Sequence, residues 1–417
     1  MKVGVIVDRF PVISETFILD DVMDMVRKGC EVTVFSIHKP NRDQIDGVLP
    51  ERTKVRIYYL FENGNRFWKI LGFVKSHPLF LLSLLKGWNK TKLWGPLTWK
   101  ERVKILMFRD FFRSKRISLD VIHSQFGNMG FYAVGLETLG PVQPKKIVTF
   151  HGFDLSRFVK ERGNHCYDYV FKKMDLFLTT CQFFVDRLID MGCPRDRIGM
   201  YYLSVDCERL IYKMRRPVPG DPVRLATIGR LVEKKGYSTT LMALGNLKRK
   251  RPDLVFSYDI IGSGPLEAEL RRLVIGQNLS TEVTFHGAKP KEAALEILEK
   301  AMIFLLPSVT ALDGDVEAMP VTLKEAMAMG LPVLSTYHSG IPELITNGVE
   351  GYLSAERDFE GLFQNLERLL ENPKDWPRMG SAGRERVEKY FDRRRAAEVL
   401  FGYYRSLIDK NTIDPGS

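Results

Sequence analysis

Short, continuous apolar runs alternate with longer amphipathic stretches along nearly the whole chain, and this alternation narrows the possible folds more than any other feature. The runs occupy residues 3–7, 32–37, 55–60, 121–124, 146–150, 176–180 and 199–203. They resume at 225–228, 256–261, 283–286, 303–306 and 333–336. A strand with one wet face alternates apolar and polar residues. A strand that is apolar throughout is covered on both faces, as in parallel sheets whose crossover helices pack on each side. RRPVPGD at residues 215–221, rich in proline and charge, breaks the alternation. The expected fold class is therefore α/β, with two doubly wound, Rossmann-like domains at 1–214 and 223–390, a linker at 215–222 and a terminal segment at 391–417. A last helix is expected over 392–407. With 417 residues and 45% hydrophobic content, the chain can fill more than one core.

Composition excludes several classes. The five cysteines, Cys30, Cys166, Cys181, Cys193 and Cys207, are scattered and form no Cys-x-x-Cys pair. That spacing argues against a disulfide framework and a zinc site, and favours a reducing compartment. The first apolar run is too short for a signal-peptide core. No run reaches the roughly 18 apolar residues of a membrane span. The net charge of +11 is concentrated: residues 66–116 hold thirteen Lys and Arg against Glu101 and Asp110. Trp68, Trp88, Trp94 and Trp99, and the apolar residues Leu79, Phe80, Leu81, Leu82, Leu84 and Leu85, fall in the same window. Tryptophan and lysine beside an apolar helix face suit an anionic membrane surface, which attracts each basic residue by about 1 kcal/mol. A solvated basic insert is the plainer alternative. Nucleic acid is not expected as a partner, since no recognition motif accompanies the charge. The expected location is cytoplasmic, peripheral on the inner face of the cell membrane.

Residues 306–345 carry most of the chemistry. Glu317 and Glu325 lie eight positions apart, the first in a turn and the second on a helix that follows Pro320. In a parallel sheet, the loop after a strand and the start of the next helix lie at the carboxyl edge, where ligands bind. A helix start with unpaired N–H groups attracts anions. Two acids beside such a start suit a ligand with phosphates at one end and hydroxyls at the other, as in a sugar nucleotide. Alternatively, Thr322 and Glu325 have capping-box spacing, so Glu325 could serve its own helix.

These residues resemble the signature of the retaining glycosyltransferases of family 4 (group 1): two glutamates separated by seven residues. FPVISETFI (residues 10–18), HSQFG (123–127), VTFHGFD (148–154), IGRLVEKKG (228–236) and IIGSGP (260–265) extend the likeness to the exopolysaccharide branch of colanic-acid and amylovoran type. The resemblance covers most of the chain except residues 61–118. It implies a GT-B fold, with an N-terminal acceptor-binding domain that carries the basic insert and a C-terminal nucleotide-sugar-binding domain. The last helix would return to the first domain, and the site would lie in a cleft between the two.

Roles follow from the resemblance residue by residue. Arg230 and Lys235 would hold the diphosphate, and Glu325 the ribose hydroxyls. Gly262 and Gly264 would let the nucleotide approach the backbone. Ala288 and Lys289 would meet the base edge, and the amides of Met319 and Val321, with Thr322, would face phosphate and sugar. Glu317 and Ala318 would face the transferred sugar. His151 would stand beside the anomeric centre, making His151, Glu317, Arg230 and Lys235 the catalytic set. Asp154 and the segment Ser14, Glu15 and Thr16 are assigned to sugar or acceptor, although the latter also reads as a plain helix N-cap. Asp313 and Asp315 resemble a metal-binding Asp-x-Asp pair, but fixed cations are the better candidates for stabilising the leaving group, so neither metal nor cofactor is expected. Ala318 and Ser204 stand where many relatives have glycine. The expected activity is transfer of a hexose, UDP-linked before GDP-linked, to a lipid-linked oligosaccharide precursor of exopolysaccharide or lipopolysaccharide. A sugar-nucleotide epimerase and a non-catalytic sugar-nucleotide-binding protein are the alternatives.

Overall fold

The computed structural model describes residues 1–12, 15–40, 55–61, 97–136, 143–218 and 220–409. Ser14 and the central part of the basic insert, residues 62–96, therefore lie outside the described residues. Contacts divide the chain into two units. One comprises Met1–Thr179, Val185–Tyr201 and Ala397–Ser417; the other comprises Thr180–Phe184 and Tyr202–Ala396.

The first unit is built on strands β1 (Lys2–Arg9), β2 (Glu31–His38), β3 (Arg56–Phe61), β4 (Val121–Gln125), β5 (Lys145–Phe150), β6 (Leu176–Thr179) and β7 (Ile198–Met200). Among the described residues they form one parallel sheet in the order β3-β2-β1-β4-β5-β6-β7. Val5, Val34, Ile122, Val148 and Leu178 are buried along its centre, as the unbroken apolar runs require. The last helix, Arg393–Asp409, enters this unit through Tyr404, whose hydroxyl lies 2.7 Å from Nδ1 of buried His123. Thr149 Oγ1 holds the other ring nitrogen at 2.7 Å, and burial pushes the imidazole down to about 3.

The second unit has β8 (Val223–Ile228), β9 (Phe256–Ile261), β10 (Val283–Gly287), β11 (Ile303–Leu305), β12 (Val333–Thr336) and β13 (Gly351–Ser354), in the order β10-β9-β8-β11-β12-β13, all parallel. Its core gathers Leu225, Tyr258, Ile260, Ile303, Leu334, Leu241, Leu362 and Trp376. Both sheets are thus doubly wound, as read from the sequence. β13 was not foreseen: it is four residues long, starts on glycine and has only Tyr352 and Leu353 as its apolar signal.

In each unit the strand order reverses once, between β1 and β4 and between β8 and β11. At a reversal, the loops leaving two neighbouring strands diverge to opposite faces and open a crevice at the carboxyl ends. Glu15 and Thr16 follow β1, Arg230 and Lys235 follow β8, and residues 317–325 follow β11, at these two places; His151 and Asp154 follow β5, Gly262 and Gly264 follow β9, and Ala288 and Lys289 follow β10.

Candidate active site

In the second unit, the turn after β8 is held open by backbone contacts rather than side chains. Gly229 N–H donates to Ile261 O at 2.9 Å, Leu231 N–H to Ser263 O at 3.0 Å, and Gly262 N–H to Gly287 O at 2.9 Å. Gly262 has φ +142°, and a Cβ on it would sit 1.9 Å from Gly229 O; one on Gly264 would sit 2.5 Å from Leu231 O. These glycines let the turns after β8 and β9 stack backbone on backbone. Gly262→Ala is expected to cost about 2–3 kcal/mol through strain and the displaced turn. Gly276→Ala, where a Cβ meets nothing within 4 Å, is expected to be neutral or stabilising by up to about 1 kcal/mol. Chemical denaturation of the two variants checks the contrast.

The turn then carries Arg230, which is exposed, and the consecutive lysines Lys234 and Lys235. Gly236, at φ +70°, abuts Pro307 O, where a Cβ would lie at 1.8 Å. Val309 N–H donates to Lys234 O at 2.9 Å. These two contacts clamp the β8 turn against the loop leaving β11. That clamp explains why residues 82 apart in sequence form an ion pair: Lys235 Nζ lies 2.7 Å from the Glu317 carboxylate, both side chains being mostly buried. Lys234 Nζ takes Asp315 at 3.0 Å and Val316 O at 3.4 Å, fixing the chain just before Glu317. Asp313 accepts the Asp315 N–H at 2.9 Å.

Burial alone would raise the Glu317 carboxyl. The Lys235 and Lys234 ammonium groups outweigh it and hold the group down at about 2. Burial lowers the Lys235 ammonium, with Lys234 and Arg230 adding to the effect and Glu317 opposing it. Glu317 is thus a fixed anion, and its lysine partner belongs to a crowded group of cations. An incoming polyanion would relieve the repulsion among them.

The helix Val321–Ala328 starts at Pro320 and has no side-chain cap. Thr322 is its second residue rather than its cap, so the capping-box alternative does not describe this helix. Glu325 is buried one turn in and pairs with Lys291 Nζ at 3.2 Å. Ala318 and Met319 are buried, and Val321 and Thr322 are partly exposed. Ala288 and Lys289 follow β10 on the surface. Among the described residues, no group of three or more His, Cys, Asp or Glu is arranged to hold a metal ion.

The same helix carries Lys324, which is fully buried. Its Nζ donates to Leu203 O at 2.6 Å and lies 5.1 Å from the centre of the Phe391 ring. Burial pushes this lysine down from 10.5 to about 7, while Cys181, Glu317, Glu325 and Glu343 pull it up. Its folded pKa is below its unfolded one, so between about pH 7 and 10.5 the unfolded chain binds more protons and stability rises with pH. Lys324→Met removes this titration. Its melting temperature relative to the parent chain is expected to be highest near pH 6–7 and to decline toward pH 10. A difference that stays flat across this range would contradict the assignment.

In the first unit, His151 follows β5. Its Nε2 lies 2.8 Å from Gln125 Oε1, and its ring packs against Phe17 and Phe126, with centroids at 4.9 and 4.6 Å. Burial pushes the imidazole down to about 3, so it is neutral at physiological pH. Asp154, 0% exposed, accepts N–H groups from Gly127 at 2.7 Å, Gly152 at 2.8 Å and His151 at 3.0 Å. Burial raises its carboxyl against the pull of these amides. Asp154 is therefore the clamp beneath the His151 loop rather than a group presented to an acceptor. Glu15 caps the helix Thr16–Arg27 by position but makes no side-chain cap bond. Lys234, Lys291, Lys324, His338 and Glu356 were not singled out from sequence. Only the Lys-Lys doublet beside Arg230 offered a signal for any of them.

Two family models match the chain in tandem. One, described as Glycosyltransferase Family 4, covers residues 14–209; the other, described as Glycosyl transferases group 1, covers residues 211–386. An amylovoran biosynthesis glycosyltransferase of Erwinia amylovora is 33% identical over 407 residues, 96% of this chain and 99% of the relative. A glycosyltransferase of Escherichia coli strain K12, named for colanic acid biosynthesis, is 33% identical over 404 residues, 94% of this chain and 96% of its own. Among solved structures, a sucrose-phosphate synthase from Thermosynechococcus elongatus has a TM-score of 0.73 at 18% identity, covering 98% of this chain and 100% of its own. An Anabaena protein in complex with UDP has a TM-score of 0.70 at 15% identity, covering 97% and 100%. At those identities the structures establish a common fold.

Proposed function

Since this chain belongs to the group 1, family 4 glycosyltransferases, with the GT-B fold, we propose that it moves a hexose from a nucleotide sugar to a lipid-linked precursor of an exopolysaccharide or lipopolysaccharide. UDP is the favoured nucleotide and GDP the second. The observation that carries this reading is the Lys235–Glu317 pair at 2.7 Å, set where β8 and β11 diverge and next to an uncapped helix start. Breaking the bond between the anomeric carbon and the phosphate oxygen leaves a nucleoside diphosphate with growing negative charge. Lys235, Arg230 and the amides at Val321 and Thr322 stabilise that charge as it develops. Glu317, ionised throughout, accepts hydrogen bonds from hydroxyls of the transferred hexose. Glu325 accepts two from the ribose diol.

The acceptor hydroxyl attacks on the face the phosphate leaves, with retention of configuration, and its proton passes to the departing phosphate. No divalent ion is needed, because the permanent cations supply the positive charge. Neutral His151 keeps the role that the resemblance implies, a hydrogen-bonding contact to the sugar. The exopolysaccharide assignment draws on the two relatives named for such polymers. A peripheral membrane location draws on the exposed Trp99, Lys100, Arg113, Lys115 and Arg116 at the two ends of the helix Trp99–Ser114. No described helix is long and apolar enough to cross a membrane.

The test is incubation of the full chain with a panel of nucleotide sugars and extracted lipid-linked acceptors, in EDTA, with the product's anomeric configuration read by NMR. Transfer with retention is expected. Isomerisation of the free nucleotide sugar would point to an epimerase, and inversion would refute the mechanism. Binding without reaction would leave a sugar-nucleotide-binding protein.

A further inference from the structure

Glu317 sits on a turn, and a turn does not hold a carboxylate in place without help. Its backbone is tied at two points to the segment after β12. Ala318 O accepts the Gly340 N–H at 3.1 Å, and the Glu317 N–H points at Nε2 of His338 at 3.0 Å. A backbone amide can only donate, so His338 Nε2 must carry a lone pair. In a neutral imidazole the proton is then on Nδ1. That nitrogen lies 2.5 Å from Glu356 Oε1. His338 is 1% exposed, and water does not compete for either nitrogen.

Glu356 is itself held in place. Its Oε2 accepts the Thr310 N–H at 2.7 Å and its Oε1 the Thr310 hydroxyl at 3.2 Å. Burial opposes ionisation of this carboxyl, but the Thr310 amide and His338 outweigh it and hold it below the usual range. A chain of polar groups therefore runs from the loop after β11, through Glu356 and His338, to the amide of Glu317.

We propose that Glu356 and His338 act as a tautomer lock: Glu356 keeps the His338 proton on Nδ1, so that Nε2 receives the Glu317 N–H and the turn presents its carboxylate at one position. His338 and Glu356 are positioning residues that act through Glu317. The effect on transfer rests on the role proposed for Glu317; the tautomer does not.

Glu356→Gln gives the most specific prediction. The amide oxygen is retained by the Thr310 N–H, which turns the NH₂ group toward Nδ1. The imidazole must then accept at Nδ1 and carry its proton on Nε2, facing the Glu317 N–H. A carboxylate-to-amide exchange that traps the wrong histidine tautomer is a known route to large losses in rate. We expect kcat to fall by about tenfold or more, with donor KM changed less than about threefold.

Two further variants separate positioning from packing. His338→Gln places an oxygen near the Nε2 position and should keep turnover within about fivefold. His338→Met fills the space without an acceptor and should lose about tenfold or more. The direct readout is ¹⁵N NMR of the full chain labelled at histidine, with His338 assigned by its absence from the Gln variant. The expected spectrum is a protonated Nδ1 and an unprotonated Nε2, reversed in Glu356→Gln. A protonated Nε2 in the parent protein, or equal losses in the Gln and Met variants, would overturn the lock. If no donor supports turnover, the transferase proposal fails while the nitrogen shifts still decide the tautomer.

Discussion

Lys235→Ala should reduce kcat/KM for transfer by roughly 10- to 150-fold. The range follows from the 1.5–3 kcal/mol that a charge-assisted contact contributes when its charged partner is removed. Two effects act together. In the proposed mechanism the diphosphate loses a cation that offsets the negative charge growing during bond cleavage, so part of the loss falls on kcat. Glu317 loses its 2.7 Å partner and remains buried with Lys234 as the nearest remaining cation to offset its charge. Its carboxyl is then expected to rise from about 2, which weakens its hold on the hexose. Lys235→Arg should restore little, because a forked guanidinium does not fit a pocket shaped for a single ammonium. Arg271→Ala, which removes an exposed i,i+4 pair with Glu267, serves as the control and should leave turnover unchanged. Unchanged turnover in Lys235→Ala would remove this lysine from the reaction.

Asp154→Ala should be among the most destabilising single changes in the first unit, at about 3–5 kcal/mol. The carboxylate is fully buried and receives amides from three residues on two loops, Gly127 after β4 and His151 and Gly152 after β5. Truncation leaves these donors buried without an acceptor, and each such orphan costs about 1–3 kcal/mol. Asp154→Asn should fall between, since it keeps one oxygen but turns an NH₂ against an amide donor. The loops also carry His151, so the alanine variant should lose transfer even where it remains folded. Denaturation midpoints and turnover below the transition test both parts. A shift of less than about 1 kcal/mol would mean that the clamp is dispensable.

Much of the architecture was readable because burial on both faces leaves a plain mark. The apolar runs at 225–228, 256–261 and 303–306 cannot be surface strands, and they became β8, β9 and β11. The site was legible in part. Glu317, Glu325, Arg230 and Lys235 stand in local patterns whose spacing carries meaning. Lys234 with Asp315, and His338 with Glu317, are 81 and 21 residues apart and meet only because the sheet places β11 between β8 and β12. Strand order is a property of the folded sheet that no short window records. Thr322 and Glu325 show the opposite failure: the local pattern was satisfied, but Pro320 set the helix start two residues too early for it. Asp154 was placed by its motif, yet its carboxylate turned inward to backbone amides that a sequence does not display.

The central claim is that permanent positive charge in the second unit holds the diphosphate of the donor. Calorimetric titration of UDP into the full chain tests it most directly, in EDTA, for the parent protein, Arg230→Ala and Lys235→Ala. UDP should bind the parent protein in EDTA and bind each variant at least about tenfold more weakly. Binding that vanishes with the divalent ion, or that is indifferent to both substitutions, would contradict the claim.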